Sequence, residues 1–459
     1  MSKITNLHNP GEVTIPVTTT ALPLDEERRQ MLDKVLDHLN PDRMRDLLVK
    51  LIEIPSPTGG EREISQFMAS YLTDAVGIDA AYQPVTQVTG NVHGAIPGSG
   101  RGESAGARLL LYAPIDTHLD PDVDVPTVGK ELREDMIPNA RVDGDLVYGL
   151  GASNPKCMVA GLTEVVHAVR DAGVDLHGDL TLAFAGGGMP WSNSRRDHFG
   201  TSSGVMHLLT HGLWPDYTVV LKPKYGVYAE DPGMCWFKVS VYGTLGYAGV
   251  TRGAPGFRSS IVPAATVIQE IEQWLPEYTR RNTGGGILPE GWISAVRAGD
   301  PDKPAFPSAT TEIYLDVRVA GQTTPADVRH QFGQLIADIR ERHRDVEIEW
   351  EMYCSIPAGL TAPDSWIIQS AQRGWEHEEQ QPYLETALQA GQTDTAIIRA
   401  LGIPAARIGY PWPPSPPPPG FEGLGGMGIA SIEDVLKGVR VVAYTVIDTL
   451  TRSRKELHL

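Results

Sequence analysis

The sequence predicts an α/β protein, a mostly parallel sheet covered by helices, with a second domain inserted into it. Three observations carry this. From about 75 to 232 short apolar runs alternate with segments of helical period, the pattern of parallel strands joined by crossover helices. At Met234 the texture changes to an alternating strand, CWFKVSVYG, followed by helix, two strands, helix and strand up to about 352. That βαββαβ order is ferredoxin-like. After about 355 the first texture returns. A chain of 459 residues is also too long for one ordinary core. The boundaries follow: an arm at 1–24, one domain made of 25–233 and 355–459, and the insert at 234–354.

The elements read in order. Helices are predicted over 25–38 and 41–53, the second with Leu47, Leu48 and Leu51 on one face. SPTGGERE then opens a helix, with Ser56 or Thr58 as its cap and Glu61 and Glu63 suited to its positive end. Strands are predicted near 78–84, 91–96, 108–113, 145–149, 180–185 and 217–222, and helices near 156–171 and 202–212. The insert reads as a strand from 234, a helix over 260–275, strands over 289–297 and 309–319, a helix over 324–341 and a strand over 346–352. A helix over 363–376, the turn GQTDTAII and a final amphipathic helix over 432–451 complete the chain. Between them PWPPSPPPPG, 411–420, reads as polyproline II, either a ligand for a partner domain or a stiff loop beside the site.

Composition narrows the function. A formal net charge of −18 argues against nucleic acid or an anionic membrane as partner. No apolar run reaches membrane-spanning length, and MSKITNLHNPGEVTIP lacks an apolar signal core. Three cysteines do not suggest a disulfide framework, so a reduced cytoplasm is the expected compartment.

The chain is organised around LLLYAPIDTHLD, 109–120. Its first four residues read as a buried central strand, which Pro114 ends because proline cannot donate to a ladder. Asp116, Thr117, His118 and Asp120 crowd the carboxyl end, where open α/β sheets place their chemistry. This stretch resembles the first motif of the di-zinc hydrolase family of acetylornithine deacetylase, succinyl-diaminopimelate desuccinylase, aminoacylase and glutamate carboxypeptidase. PSATTEIYLDVRV resembles the family's strand ending in Asp-x-Arg, which places Arg318, and TTPADV opens a helix as it does there. The resemblance runs from about residue 41 to the end. It implies a zinc-peptidase-like fold, an insert that serves as lid and dimerisation surface, and hence a homodimer.

The resemblance also shows what is missing. The family's Gly-His-x-Asp falls on Ala113, Pro114, Ile115 and Asp116, so the ligand position holds proline. Its Gly-x-Gly-x-x-Asp-x-Lys falls on GLGASNPK, with Asn154 for the bridging Asp and Lys156 retained. The Asp-Glu-Glu that supplies the general base and a ligand falls on Gly186, Gly187, Gly188 and Met189. The acid-Pro pair falls on Lys222-Pro223, and the last His falls near Ala430. The lid's His is replaced by Tyr247. Asp116, Lys156, Arg318, Gly391, Thr393 and Asp394 match. The expectation is a small-molecule enzyme with no metal and no cofactor, hydrolysing a carboxylate-bearing amide, imide or amino-acid derivative, with a lyase or isomerase reaction equally compatible. A non-catalytic binding relative and a metallohydrolase with relocated ligands are the other readings.

The candidate catalytic residues are Asp116, His118, Lys156, Cys157, Lys222 and Tyr247. Lysines at 156 and 222 would supply positive potential without a metal. Cys157 opens a helix, where a thiolate is favoured, although a small buried residue explains it as well. His118 suits proton transfer, or is a surface loop residue. Tyr247 is a lid proton donor or a packing residue. Asn154, Lys224, Arg318, Thr393 and Asp394 are the candidates for substrate contact, and His198 reads as part of a solvated loop.

Overall fold

The computed structural model describes residues 15–16, 23–120, 132–190, 192–193, 198–251, 253–385, 391–414, 417–418 and 427–459, the side chains of 15–16, 192–193, 198–199 and 385 excepted. Most of the arm, part of the proline-rich segment and the His198 side chain lie outside these residues. The chain divides into two compact units. The first takes the chain up to Ala229 and most of it from Thr361 onward; the second is Glu230–Leu360 with the short segment ending at Gln392.

In the first unit the helices α1 (Glu26–Asp37), α2 (Pro41–Glu53) and α3 (Arg62–Tyr71) precede the strands β1 (Asp79–Pro84), β2 (Gly90–Ile96) and β3 (Arg108–Pro114). Helix α4 (Cys157–Asp171), β4 (Asp179–Ala185), α5 (Ser203–Thr210), β5 (Tyr217–Pro223) and β6 (Gly226–Tyr228) follow. Local chemistry sets the ends. Asn40 accepts from the Arg43 amide at 3.0 Å and Pro41 takes the first helical position, so α2 starts there. Pro114 is the last residue of β3.

The second unit holds β7 (Gly233–Tyr242), α6 (Ile261–Asn282), β8 (Gly291–Ala298), β9 (Thr310–Val319), α7 (Pro325–Arg342) and β10 (Glu347–Ile356). They form an antiparallel sheet in the order β8-β9-β7-β10. Its helices bury Val267, Ile271, Val328 and Phe332 against Phe237 and Val239. Thr324 and Asp327 cap α7 reciprocally. Helix α6 runs seven residues past the expected end, through Pro276, because Leu275 and Tyr278 are core residues and the Tyr278 hydroxyl donates to the Arg318 carbonyl at 2.7 Å.

The chain then returns to the first unit with α8 (Trp366–Glu379), α9 (Thr395–Ala400), β11 (Ala405–Tyr410) and α10 (Ile432–Leu450). The large sheet has the order β6-β11-β5-β3-β4-β2-β1. Strands β11, β5, β3 and β4 are mutually parallel and the flanking strands antiparallel. Leu109, Leu110 and Leu111 are fully buried at its centre, and α4 and α10 bury Val165, Val439 and Val442 in one core with Leu109 and Leu111. Among the described residues no helix is long and apolar enough to cross a membrane.

One local expectation is corrected. Neither Ser56 nor Thr58 caps α3, which begins after Glu61 without a side-chain cap. The Ser56 hydroxyl donates instead to the Ile115 carbonyl at 3.0 Å, and the Thr58 hydroxyl to the Asp116 carboxylate at 2.6 Å. Both residues serve the end of β3 rather than the helix.

Candidate functional site

The site grows from the end of β3. Beyond Pro114 the chain is laced to residues 56–58: the Thr117 amide donates to the Ser56 carbonyl at 2.7 Å and the Thr58 amide to the Thr117 carbonyl at 3.3 Å. The lacing turns the Asp116 side chain inward, where it is fully buried. Asp116 accepts from the Gly188 amide at 2.8 Å, the Met189 amide at 2.9 Å and the Thr58 hydroxyl. The loop after β4 thus donates to a carboxylate, at the place where the resembling family's loop would carry carboxylates of its own.

Two more acids join it. Glu61, also fully buried, accepts from the Gly59 amide at 2.8 Å and the Gly187 amide at 3.0 Å. Asp394, 1% exposed, accepts from the hydroxyl of Tyr112 on β3. Lys222, at the end of β5, is 7% exposed, and its charge acts on Asp394. Burial pushes the Asp394 carboxyl up to about 6 against the pull of the Lys222 charge and the Tyr112 hydroxyl. Burial, reinforced by the Asp116 charge, pushes Glu61 up as well. Burial also raises Asp116, opposed by its Thr58, Met189 and Gly188 donors.

The glycines of the loop are required by this packing. A Cβ on Gly188 would stand 2.5 Å from Pro114 Cβ and 2.7 Å from Asp394 Oδ2. Gly187 has φ of 67°, a left-handed conformation that L side chains seldom adopt.

The other candidates fall elsewhere. Lys156 is fully buried, and its Nζ donates to the Ile54 carbonyl at 2.8 Å, just past the end of α2. Burial lowers this amine to about 7. The Cys157 thiol donates to the Ser153 carbonyl at 3.0 Å and its sulfur lies 3.2 Å from the Tyr410 hydroxyl, which itself donates to Ser153. Burial pushes this thiol up to about 12, so the helix N-terminus does not make it a thiolate. Asn154 donates to the Met427 sulfur at 3.4 Å. Thr393 bonds the amide and hydroxyl of Thr395 and so caps the turn behind Asp394. His118 is half-buried, and Lys224 is exposed with its ammonium 5.9 Å from the Tyr228 ring centre. Tyr247 and Arg318 belong to the second unit. Tyr247 is half exposed beside Phe306, and Arg318 donates to Asp316 at 3.0 Å.

Asp116, Lys222 and Asp394 therefore come together, and Lys156 and Cys157 are turned into the core beside them. Glu61, Tyr112 and Thr58 are members that sequence reasoning did not place. One signal pointed to them: a Gly-Gly-Gly run at a strand end marks a close approach by something else.

A pair of zinc ions needs about six nitrogen and oxygen ligands. Both Asp116 oxygens and one Glu61 oxygen already accept amides or a hydroxyl, and an ammonium group acts on Asp394. Among the described residues no group of three or more His, Cys, Asp or Glu is arranged to hold an ion. This donor set does not fit the metal pair.

The protein has the fold of the zinc peptidases and amidohydrolases. No family model matches the sequence. Solved structures match over nearly the whole chain. An M20 family metallo-carboxypeptidase from Sulfolobus solfataricus is similar at 14% identity and a TM-score of 0.65, over 89% of this chain and 99% of that one. Human carnosine dipeptidase 1 is similar at 12% identity and a TM-score of 0.67, over 93% and 100%. An amidase of the hydantoinase/carbamoylase family from Burkholderia multivorans is similar at 13% identity and a TM-score of 0.58, over 91% and 99%.

Proposed function

We propose that the protein is a hydrolase-like enzyme that cleaves a C–N bond in a small carboxylate-bearing amide, imide or amino-acid derivative without the di-zinc mechanism. The observation that carries this is the buried set of Glu61, Asp116, Asp394 and Lys222 at the carboxyl edge of the sheet. Enclosing four ionisable groups opposes stability, and a site that had only decayed would fill with apolar side chains. The set offers what amide hydrolysis needs. Lys222 stabilises the negative charge that develops on the carbonyl oxygen. Asp394, ionised above about 6, takes a proton from the attacking water and passes it to the leaving nitrogen as the C–N bond breaks. The products are a carboxylate and an ammonium ion, so the balance closes with one water. The fold neighbours, several of them peptidases or amidases, support the reaction class.

The test combines elemental analysis with turnover of N-acyl amino acids, dipeptides and N-carbamoyl amino acids in the presence of a chelator. The expected result is far substoichiometric zinc and turnover that survives chelation. Two metals per chain, lost together with activity on chelation, would overturn it. The complete burial of Asp116 and Glu61 favours a second reading, a ligand- or partner-binding relative. It predicts binding of a panel member without turnover.

The second unit supports pairing of two copies through about 234–354. Val250 and Val262 are 77% and 73% exposed, and β8 is an edge strand carrying Trp292 at 61% exposure. Solution scattering at micromolar concentration should give the mass of a dimer, and a monomer there would count against it. Three unpaired cysteines, Cys157, Cys235 and Cys354, suit a reducing cytoplasm.

A further inference from the structure

We propose that Glu61 is the proton-holding residue of this site, its carboxyl replacing in space a side chain that the loop after β4 lacks. A Cβ on Gly186 would meet Glu61 Cδ at 2.9 Å, Oε2 at 3.0 Å and Cγ at 3.1 Å. The carboxyl thus fills the volume into which residue 186 would project, although it arrives from the start of α3. Asp394 does the same at Gly188, its Oδ2 2.7 Å from the Cβ that is missing there. Two carboxyls from other elements thus stand where the loop's own side chains would project.

The two carboxyls nearest the loop are solvated unequally. Asp116 has donors on both oxygens, three in all, which suits an anion. Glu61 has both of its amide donors on Oε1, while Oε2 is enclosed without a hydrogen-bond partner. A bare buried carboxylate oxygen is costly, and a proton on Oε2 removes that charge. Around Glu61 the titratable and charged groups are Asp116, Tyr82 on β1, and Arg62, whose guanidinium turns away to the Gln87 carbonyl at 3.1 Å. Asp116 is the anion among them and favours the neutral acid. Environments that push two acids apart divide the labour between them: Asp116 stays charged and Glu61 keeps the proton. Glu61 acts through Asp116 and is a positioning residue in the hydrolase reading, on which this rests.

The sign of the pH effect follows. The folded chain keeps a proton that the unfolded chain releases above about 4.5, so this contribution to stability declines as pH rises toward about 8.

Glu61→Gln is the test, because the new amide oxygen still accepts from Gly59 and Gly187. The infrared spectrum of the parent at pH 7 should contain the carbonyl band of a neutral carboxylic acid. The band should fade as pH rises through about 8 and be missing in E61Q. With a substrate in hand, E61Q should remove the alkaline limb of the pH profile, because the amide stays uncharged at every pH as the protonated acid does only below about 8. A parent spectrum without the band, or a band unchanged in E61Q, overturns the proposal even if the enzyme hydrolyses the panel. A band that is lost in E61Q when no panel member is turned over upholds the proton site and removes the hydrolase reading.

Discussion

Replacing Lys222 with methionine is expected to abolish turnover, or the binding of an anionic ligand, while leaving the secondary structure intact. Lys222 is the ammonium acting on Asp394 among three buried acids. Losing a preorganised charge at a reacting oxygen costs about 10²–10³ in rate. Stability should fall too, by up to about 3–5 kcal/mol, the usual cost of leaving a buried charge without its partner. The fall should depend on pH. Asp394 titrates near 6 with Lys222 present and higher without it. At pH 5 it is neutral and hardly needs the lysine, whereas at pH 8 it does. Urea unfolding at the two pH values should therefore show the larger loss at pH 8. A variant with unchanged rate and ligand affinity would remove the argument for a repurposed site.

Gly188→Ala is expected to destabilise the first unit and to displace an acid from the site. It would bring Cβ within 2.5 Å of Pro114 Cβ and 2.7 Å of Asp394 Oδ2. Overpacking of this kind costs about 1–3 kcal/mol. The part that yields most easily is Asp394, so the acid should swing away from its place and turnover should disappear with the stability. Gly286→Ala in the second unit is the control, since its nearest atom is a Glu230 carboxylate oxygen at 4.0 Å. Thermal melts and kinetics of the two variants check this. Equal melting points would show that the loop after β4 is not tightly packed.

Much of the fold could be read from the residues because the periodicities are strong. Leu47, Leu48 and Leu51 mark α2, and the alternation in CWFKVSVYG marks β7. Helix α6 was read as ending at 275, and only the packing of Tyr278 shows why it continues through Pro276. The site was legible where a residue sits at a strand end. Asp116, Lys222 and Asp394 lie beside the carboxyl ends of parallel strands, which sequence position alone suggests. Lys156 and Cys157 are different. Their roles depend on which way the first turn of α4 faces, and that is decided by α2 and β11, remote in sequence. Glu61 was read as a helix-end charge because its local context explains it fully. Its contact with Gly187 spans 126 residues.

The loop Gly186–Met189 also constrains anyone who would restore a metal site here. Its glycines couple the acid content of the site to residues on other elements. A glutamate written back at 186 collides with Glu61, and one at 188 collides with Asp394 and Pro114. Each restoring substitution is harmful until its counterpart has been deleted, and each deletion alone leaves loop amides or Tyr112 without an acceptor. Stepwise mutagenesis must therefore cross intermediates worse than either end, so a library aimed at a zinc-binding variant has to change position 61 with 186, and 394 with 188, in the same molecule.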